Sequence, residues 1–432
     1  MSMHTFAEGS AGGAACHEAM DTAVSGSRIE AARRARLLAF YLPQFHPTAE
    51  NDAWWGRGFT EWTHVAGAKP LFPGHYQPRV PADLGYYDLR VAETREAQAE
   101  LARRGGIEGF CYWHYWFAGR RLLHRPFEEV LKSGEPDFPF CLAWANHSWH
   151  GKKGVLMEQT YPGQADHEAH FQALLPAFRD PRYVRVGGRP LFYIFCGWDI
   201  PDVDGFIALW QGLARKHGLE GIHFVARSAH EFSRSAPGAF SEKFDAFTFS
   251  HESRMTHFGM RHLMRSSFWK GPDAMPGGLS RKVVVRTVWR YAWRRLWSRV
   301  LGRPPVIFDY EDALPCLRGV AGGSPRMYPC VVPNWDHSPR SAGRRTILHG
   351  STPDLFRRHV REVLHDAQVL PAEERIVFVK SWNEWAEGNY LEPDQKYGRQ
   401  YLDTLRDEVM DRTFDHSTAA TLHPAMVPAT VS

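Results

Sequence analysis

The chain has 432 residues, 44% of them hydrophobic, which is the composition of a globular protein with a sizeable core. Lys and Arg (52) exceed Asp and Glu (48) by only four, so the overall charge excludes a general field for nucleic acid. No run of about 18 apolar residues occurs, which excludes a spanning helix, and the small, polar stretch over residues 1–35 lacks the apolar centre of a signal peptide.

Residues 1–35 therefore read as a loose tail, residues 36–411 as one catalytic domain, and residues 412–432 as a second loose tail, on a cytoplasmic protein. Within the central part, eight short strand-like runs recur. They are Leu37–Leu42, Gly109–Trp113, Phe140–Trp144, Leu191–Phe195, Ile222–Ala226, Phe244–Phe249, Tyr328–Val332 and Ile376–Lys380. Most are nearly continuous in apolar residues, the pattern of parallel strands covered on both faces. Helical patterns lie between them: Ala92–Arg104 ending at Gly105-Gly106, His167–Phe178, Gly205–His217, Asp354–Leu364 and Lys396–Met410. Eight strands alternating with helices predict an α/β fold, a (β/α)8 TIM barrel. An open doubly wound sheet is the alternative, and no GxGxxG follows the first strand to support it.

Two connections are long. Residues 43–90 carry Pro, Gly, Trp and Tyr throughout. Residues 254–305, between strands six and seven, form a basic insertion of net charge +11, against −7 for the remainder. Within it, 281–299 reads as a basic amphipathic helix with Trp289, Trp293 and Trp297 four residues apart. Such a helix either packs its Trp stripe on the barrel, the plainer reading, or makes peripheral contact with an anionic inner-membrane surface. Cys111, Cys141, Cys196 and Cys330 lie in apolar runs with no CxxC, so they read as buried free thiols. There is no HExxH; no metal and no cofactor are expected.

In such barrels the active site lies at the C-terminal ends of the strands. Those ends here gather aromatic, imidazole and carboxamide side chains. Flat aromatic rings stack on sugar faces, while Asn, His, Asp and Glu read hydroxyls, so an oligosaccharide or polysaccharide is the ligand class that fits. The candidate substrate-binding residues are Tyr41, His46, His75, Tyr76, His114, Trp144, Asn146, Trp335, Asp336, Trp382, Asn383 and Trp385. After strand eight, Glu384 and Glu387 are candidate catalytic carboxylates, since two carboxyls in one site can divide acid and base work. A helical turn after Glu384 would put both on one side; continued extended structure would put them on opposite faces.

Several motifs together carry a resemblance: YLPQFHP, WWGRGFTEW (Trp54–Trp62), GHYQPRVPADLGYYD (Gly74–Asp88), GFCYWHYWF, PNWDHSPR and SWNEWAEGNYLEPD (Ser381–Asp394). The chain resembles the WbsX-type proteins of surface-polysaccharide gene clusters, described as glycosyltransferases, which are similar to the endo-α-1,2-mannosidases of glycoside hydrolase family 99. The resemblance covers roughly residues 37–410. It implies a (β/α)8 barrel with no metal requirement. It also implies that Glu384 is the base on the substrate 2-hydroxyl and Glu387 the acid/base on the leaving oxygen, with a 1,2-anhydro sugar intermediate and retention. Where these proteins commonly have WANENWT, this chain runs Trp144-Ala145-Asn146-His147-Ser148-Trp149, a departure that bears on the substrate.

Other classes stay open on sequence. Asp202-Val203-Asp204 is a DxD of the kind that serves sugar-nucleotide transferases, although it opens the helix Gly205–His217, where N-capping is the simpler role. A metal-dependent hydrolase is the next alternative, and a non-catalytic carbohydrate-binding protein the last.

Overall fold

The computed structural model describes residues 33–151, 154–227, 243–248, 306–318, 326–340 and 346–410, with positions 289 and 296 in isolation. Eight parallel strands build the centre: β1 Arg36–Tyr41, β2 Gly109–Phe117, β3 Phe140–Trp144, β4 Arg189–Ile194, β5 His223–Arg227, β6 Ala246–Thr248, β7 as two pieces (Met327–Tyr328 and Cys330–Val331), and β8 Ile376–Val379. Each pairs with its sequence neighbours, and β8 pairs with β1. The ring closes through β7, whose first piece pairs with β6 and whose second pairs with β8. The break falls at Pro329, which has no N–H to give, although its carbonyl still accepts from Phe378 N at 2.9 Å.

The helices of the continuous described segments are α1 Ala49–Trp55, α2 Glu61–Ala66, α3 Ala92–Arg104, α4 Arg125–Ser133, α5 Gln164–Arg179, α6 Val203–Lys216, α7 Tyr310–Leu317, α8 Pro353–Asp366 and α9 Gln400–Val409. The (β/α)8 expectation holds, and α3 has the bounds its composition predicts. The short α1, α2, α4 and α7 are absent from the sequence reading, because six to nine residues are too few to set a helical period apart from chance. Local chemistry builds them instead. Thr48 accepts from Asn51 N at 3.2 Å to start α1, and Thr60 and Thr63 form a reciprocal capping box at α2.

Strand alternation decides what each side chain does. Phe40, Trp113, Tyr193 and Phe378 point into the ring and form an aromatic floor, with Phe40 stacked on Trp113 at 4.8 Å and on Phe378 at 5.1 Å. Their chain neighbours point outward to the helices: Tyr41 meets Gln98 of α3, and His114 meets His170 of α5. Cys111, Cys141, Cys196 and Cys330 are buried free thiols, as their apolar settings predict.

The insertion 254–305, with its 281–299 helix, lies outside the described residues apart from Trp289 and Leu296, as do 1–32 and 411–432 and the segment Ser250-His251-Glu252 after β6. Among the described residues no helix is long and apolar enough to cross a membrane.

Candidate active site

A cavity of about 510 Å³ opens at the C-terminal ends of the barrel strands. Glu384 and Glu387 line it, and the turn that carries them is tightly fixed. Beyond β8, the Asn383 amide bonds both backbone groups of Leu42, accepting from its N–H at 2.7 Å and donating to its C=O at 3.1 Å. Asn383–Glu384 pairs antiparallel with Asn389–Tyr390, and one 3₁₀ turn, Trp385–Glu387, joins them. Three residues per turn eclipse positions i and i+3, so Glu384 and Glu387 project to the same side. Both reach one guanidinium, that of Arg340. Beneath the turn, Trp385 stacks on Tyr390 with centroids 3.8 Å apart and donates its indole N–H to Glu392 at 2.5 Å.

Gly388 closes the turn at φ +60°, and a Cβ there would lie 2.7 Å from Asp336 Cβ and 3.0 Å from Asp336 N. That N–H donates to the Glu387 carbonyl at 2.6 Å. Gly388→Ala combines left-handed backbone with a clash against a held residue. It is expected to cost about 2–4 kcal/mol of stability and to lower turnover by displacing Glu387; denaturant unfolding and steady-state kinetics check both.

The electrostatics of the site are concentrated in five side chains. Arg340 Nη1 donates to Glu387 Oε1 at 2.5 Å and Nη2 to Glu384 Oε2 at 3.2 Å. Its Nε and Nη2 donate to Glu61 Oε1 at 2.9 and 2.7 Å. Trp113 Nε1 donates to Glu384 Oε1 at 3.0 Å. Burial pushes the Glu384 carboxyl up to about 7; the charge of Glu387 pushes the same way and Arg340 opposes it. The aromatic wall comes from Trp55, Trp113 and Trp149, and His147 and Ser148 face the same space.

The other sequence candidates stand elsewhere. Tyr41 donates to Gln98 at 2.7 Å behind β1. His114 pairs with His170 at 2.9 Å, and burial lowers it to about 3, so it packs as a neutral ring. His46 is buried and lowered to about 4 for the same reason. Trp144 donates to the Trp116 carbonyl at 3.3 Å. Asn146 staples two loops by bonding both backbone groups of Cys196 at 2.7 and 2.8 Å. Trp335, Trp382, Asn383 and Trp385 are buried supports of the turn and its neighbours. None of these residues lines the cavity. The physical reason is period-2 alternation: at a strand end, only every second side chain faces the mouth.

His75, Tyr76 and Asp336 line a second, smaller cavity of about 160 Å³. There Asp336 takes hydrogen bonds from Gln77 at 2.7 Å and across to His75 Nε2 at 2.8 Å. Burial would raise the Asp336 carboxyl, but the His75 bond and the nearby Arg79 charge outweigh it and hold it below the usual carboxylate range. Among the described residues no group of three or more His, Cys, Asp or Glu is placed to hold a metal ion.

Glu61, Trp113 and Arg340 bond the two glutamates or each other and are absent from the sequence candidates. Each sits inside a motif that carries the resemblance: Glu61 in WWGRGFTEW, Trp113 in GFCYWHYWF and Arg340 in PNWDHSPR. A lone charge in a loop motif gives no sign that it is buried, and the signal that could have found them is that motif membership.

The structure thus places paired glutamates and tryptophans at the C-terminal mouth of a parallel eight-stranded barrel. The chain belongs to the family described as Glycosyltransferase WbsX, whose model matches residues 37–405. It is 36% identical over 391 residues to the protein WxcX of two strains of Xanthomonas campestris pv. campestris, an alignment covering 89% of this chain and 51% of WxcX. The chain thus spans about half the length of the curated relatives it matches. Among solved structures, a "Glycoside hydrolase-like protein" shares the fold with a TM-score of 0.51 at 14% identity, over 87% of this chain and 94% of that one. The GH99 endo-alpha-mannosidase from Bacteroides thetaiotaomicron matches with a TM-score of 0.46 at 13% identity, over 87% and 96% of the two chains.

Proposed function

We propose that this protein cleaves or transfers at glycosidic bonds by a two-glutamate, retaining mechanism, in the metabolism of a surface polysaccharide. The observation that carries the reading is the placement of Glu384 and Glu387 on one side of a single 3₁₀ turn, at the mouth of the barrel. The WbsX family membership supports the substrate class.

The reaction runs in two balanced steps. Glu384 takes the proton of the sugar 2-hydroxyl while O2 attacks C1. The bond from C1 to the glycosidic oxygen breaks, and Glu387 gives its proton to that oxygen. A 1,2-anhydro sugar results. Water or an acceptor alcohol then gives its proton to Glu387 and attacks C1, the three-membered ring opens, and Glu384 returns the proton to O2. Two inversions at C1 give retention. Burial holds the Glu384 carboxyl above the ordinary carboxylate range, which makes it a stronger base toward the sugar 2-hydroxyl. For the acid role the proton belongs on Glu387 Oε2, because Oε1 accepts from the Arg340 guanidinium at 2.5 Å.

The test is an assay of the wild type on α-mannosides, other oligosaccharides and sugar nucleotides, with and without divalent metal, with the anomeric outcome followed by NMR. Retained configuration without a metal requirement supports the reading; inversion, or a strict need for a sugar nucleotide with Mn²⁺, overturns it. The DxD alternative has its own check. Asp202 accepts from Gly205 N at 3.0 Å as the N-cap of α6, and Asp204 pairs with Lys243 at 3.1 Å. Asp202→Ala is expected to cost about 1 kcal/mol of stability and to leave turnover unchanged; loss of turnover at full stability would revive the metal-dependent transferase.

A further inference from the structure

One residue outside the proposed chemistry, Arg340, bonds both glutamates inside it, and a second, Glu61, bonds Arg340. Glu61, the first residue of α2, is 1% exposed. One of its oxygens takes both the Nε–H and an Nη2–H of Arg340, which lies 279 residues away in the chain. A guanidinium is a rigid planar fork, so fixing one edge fixes where the remaining N–H groups point. Here they point at Glu387 and Glu384. We infer that Glu61 and Arg340 are a positioning pair for the two-glutamate site: Glu61 anchors the guanidinium, and the guanidinium holds Glu384 and Glu387 together on one wall of the cavity against their mutual repulsion. This rests on the two-glutamate reading for its meaning, but the geometry stands apart from it.

The charge balance follows from the same contacts. Three carboxylates share one guanidinium at hydrogen-bond distance. The other groups facing them are His337, with Nε2 3.7 Å from Glu387, and Lys380 at the end of β8. Also lining the cavity are Arg227 at the end of β5, His64 on α2, and His147 and His150 after β3. Tyr115 and Trp113 come from β2. Arg340 is the cation that bonds both members of the pair. Removing it leaves Glu384 facing two carboxylates and makes its ionised form harder to reach. Removing only the charge of Glu61 does the reverse, since the amide introduced by Glu61→Gln keeps an oxygen for the Arg340 Nε–H.

The experiment is carboxyl NMR on full-length protein labelled with ¹³C at the glutamate side-chain carboxyls, with the Glu384 resonance assigned by its loss in Glu384→Gln. In Arg340→Gln the Glu384 titration midpoint is expected to rise by at least about one pH unit. In Arg340→Lys, which keeps the charge and loses the fork, it should rise less than half as far. In Glu61→Gln it should fall. In Glu61→Ala the Arg340 Nε–H signal, protected in the wild type, should exchange freely with water. A midpoint unmoved in Arg340→Gln and Glu61→Gln, or moved the same way in both, overturns the pair. If Arg340→Gln fails to fold, the Arg340→Lys and Glu61 variants decide the question alone. None of these readouts needs turnover. An inactive protein with the expected shifts would therefore sink the glycosidic reading and leave the pair standing, whereas an active one with unmoved midpoints would sink the pair alone.

Discussion

Glu384→Gln and Glu387→Gln are each expected to lower turnover of an unactivated glycoside by about 10³-fold or more, in keeping with the loss of a general acid or base. The two substitutions should separate when the leaving group is changed. A glycosyl fluoride or a nitrophenyl glycoside departs without a proton, so Glu387→Gln should recover much of the first step on such a substrate. Glu384→Gln should not, because the 2-hydroxyl still has no base. The exchange is close to isosteric, but it is not silent in the resting site. The amide introduced by Glu384→Gln can turn its oxygen either to the Trp113 indole or to Arg340, which the wild-type carboxylate satisfies with separate oxygens at 3.0 and 3.2 Å. Some local loosening is therefore expected in that variant, and its melting temperature should be measured beside its rate. Recovery by Glu384→Gln and not by Glu387→Gln would exchange the two roles. Turnover that survives both substitutions would end the two-glutamate assignment.

The barrel was legible because parallel strands are apolar on both faces, so each reads as a short unbroken run between helical patterns. Strand ends were harder. GFCYW predicts a strand, yet β2 runs on to Phe117 because Tyr115–Phe117 continues into a hairpin with Arg120–Leu122. The more consequential gap concerns direction. The sequence reading treated every residue after a strand as facing the mouth. Alternation sends Trp113 to the mouth and His114 to α5, and the β2–β3 register puts Trp144 beside His114, on that same outward side. For Glu384 and Glu387 the sequence left two geometries open, and the 3₁₀ turn selects the one-sided placement. Arg340 and Glu61 were invisible as a pair because nothing local joins residues 279 apart; only the fold brings them within 2.7 Å.

The support beneath the turn makes a second large effect expected. Glu392 is 3% exposed and accepts from the Tyr87 hydroxyl at 2.9 Å, Gln98 Nε2 at 2.6 Å and Trp385 Nε1 at 2.5 Å. Burial pushes its carboxyl up to about 7, and the hydrogen bonds from Trp385, Gln98 and Tyr87 only partly offset that. An unfolded glutamate titrates near about 4.3. The folded state therefore holds a proton through that interval which the unfolded state has lost. The associated stability is complete below the unfolded value and disappears as pH rises through about 7. Its full size is about 4 kcal/mol, of which about 3 kcal/mol falls between pH 5 and pH 8. Chemical unfolding at pH 5 and pH 8 should show the wild type losing about that much relative to Glu392→Gln, in which Glu384 and the other carboxyls still titrate and cancel in the comparison. Glu392→Ala is the harsher change. It leaves three buried donors without their acceptor, and the expected cost is about 3–5 kcal/mol at pH 5, where Glu392 holds its proton, and smaller at pH 8. Because one of those donors is Trp385, the middle of the support between Glu384 and Glu387, the same variant should lose turnover even where it remains folded. A Glu392→Gln protein with the wild-type pH slope would show instead that the carboxyl is ionised in its buried setting, held there by the three donors against the cost of desolvation.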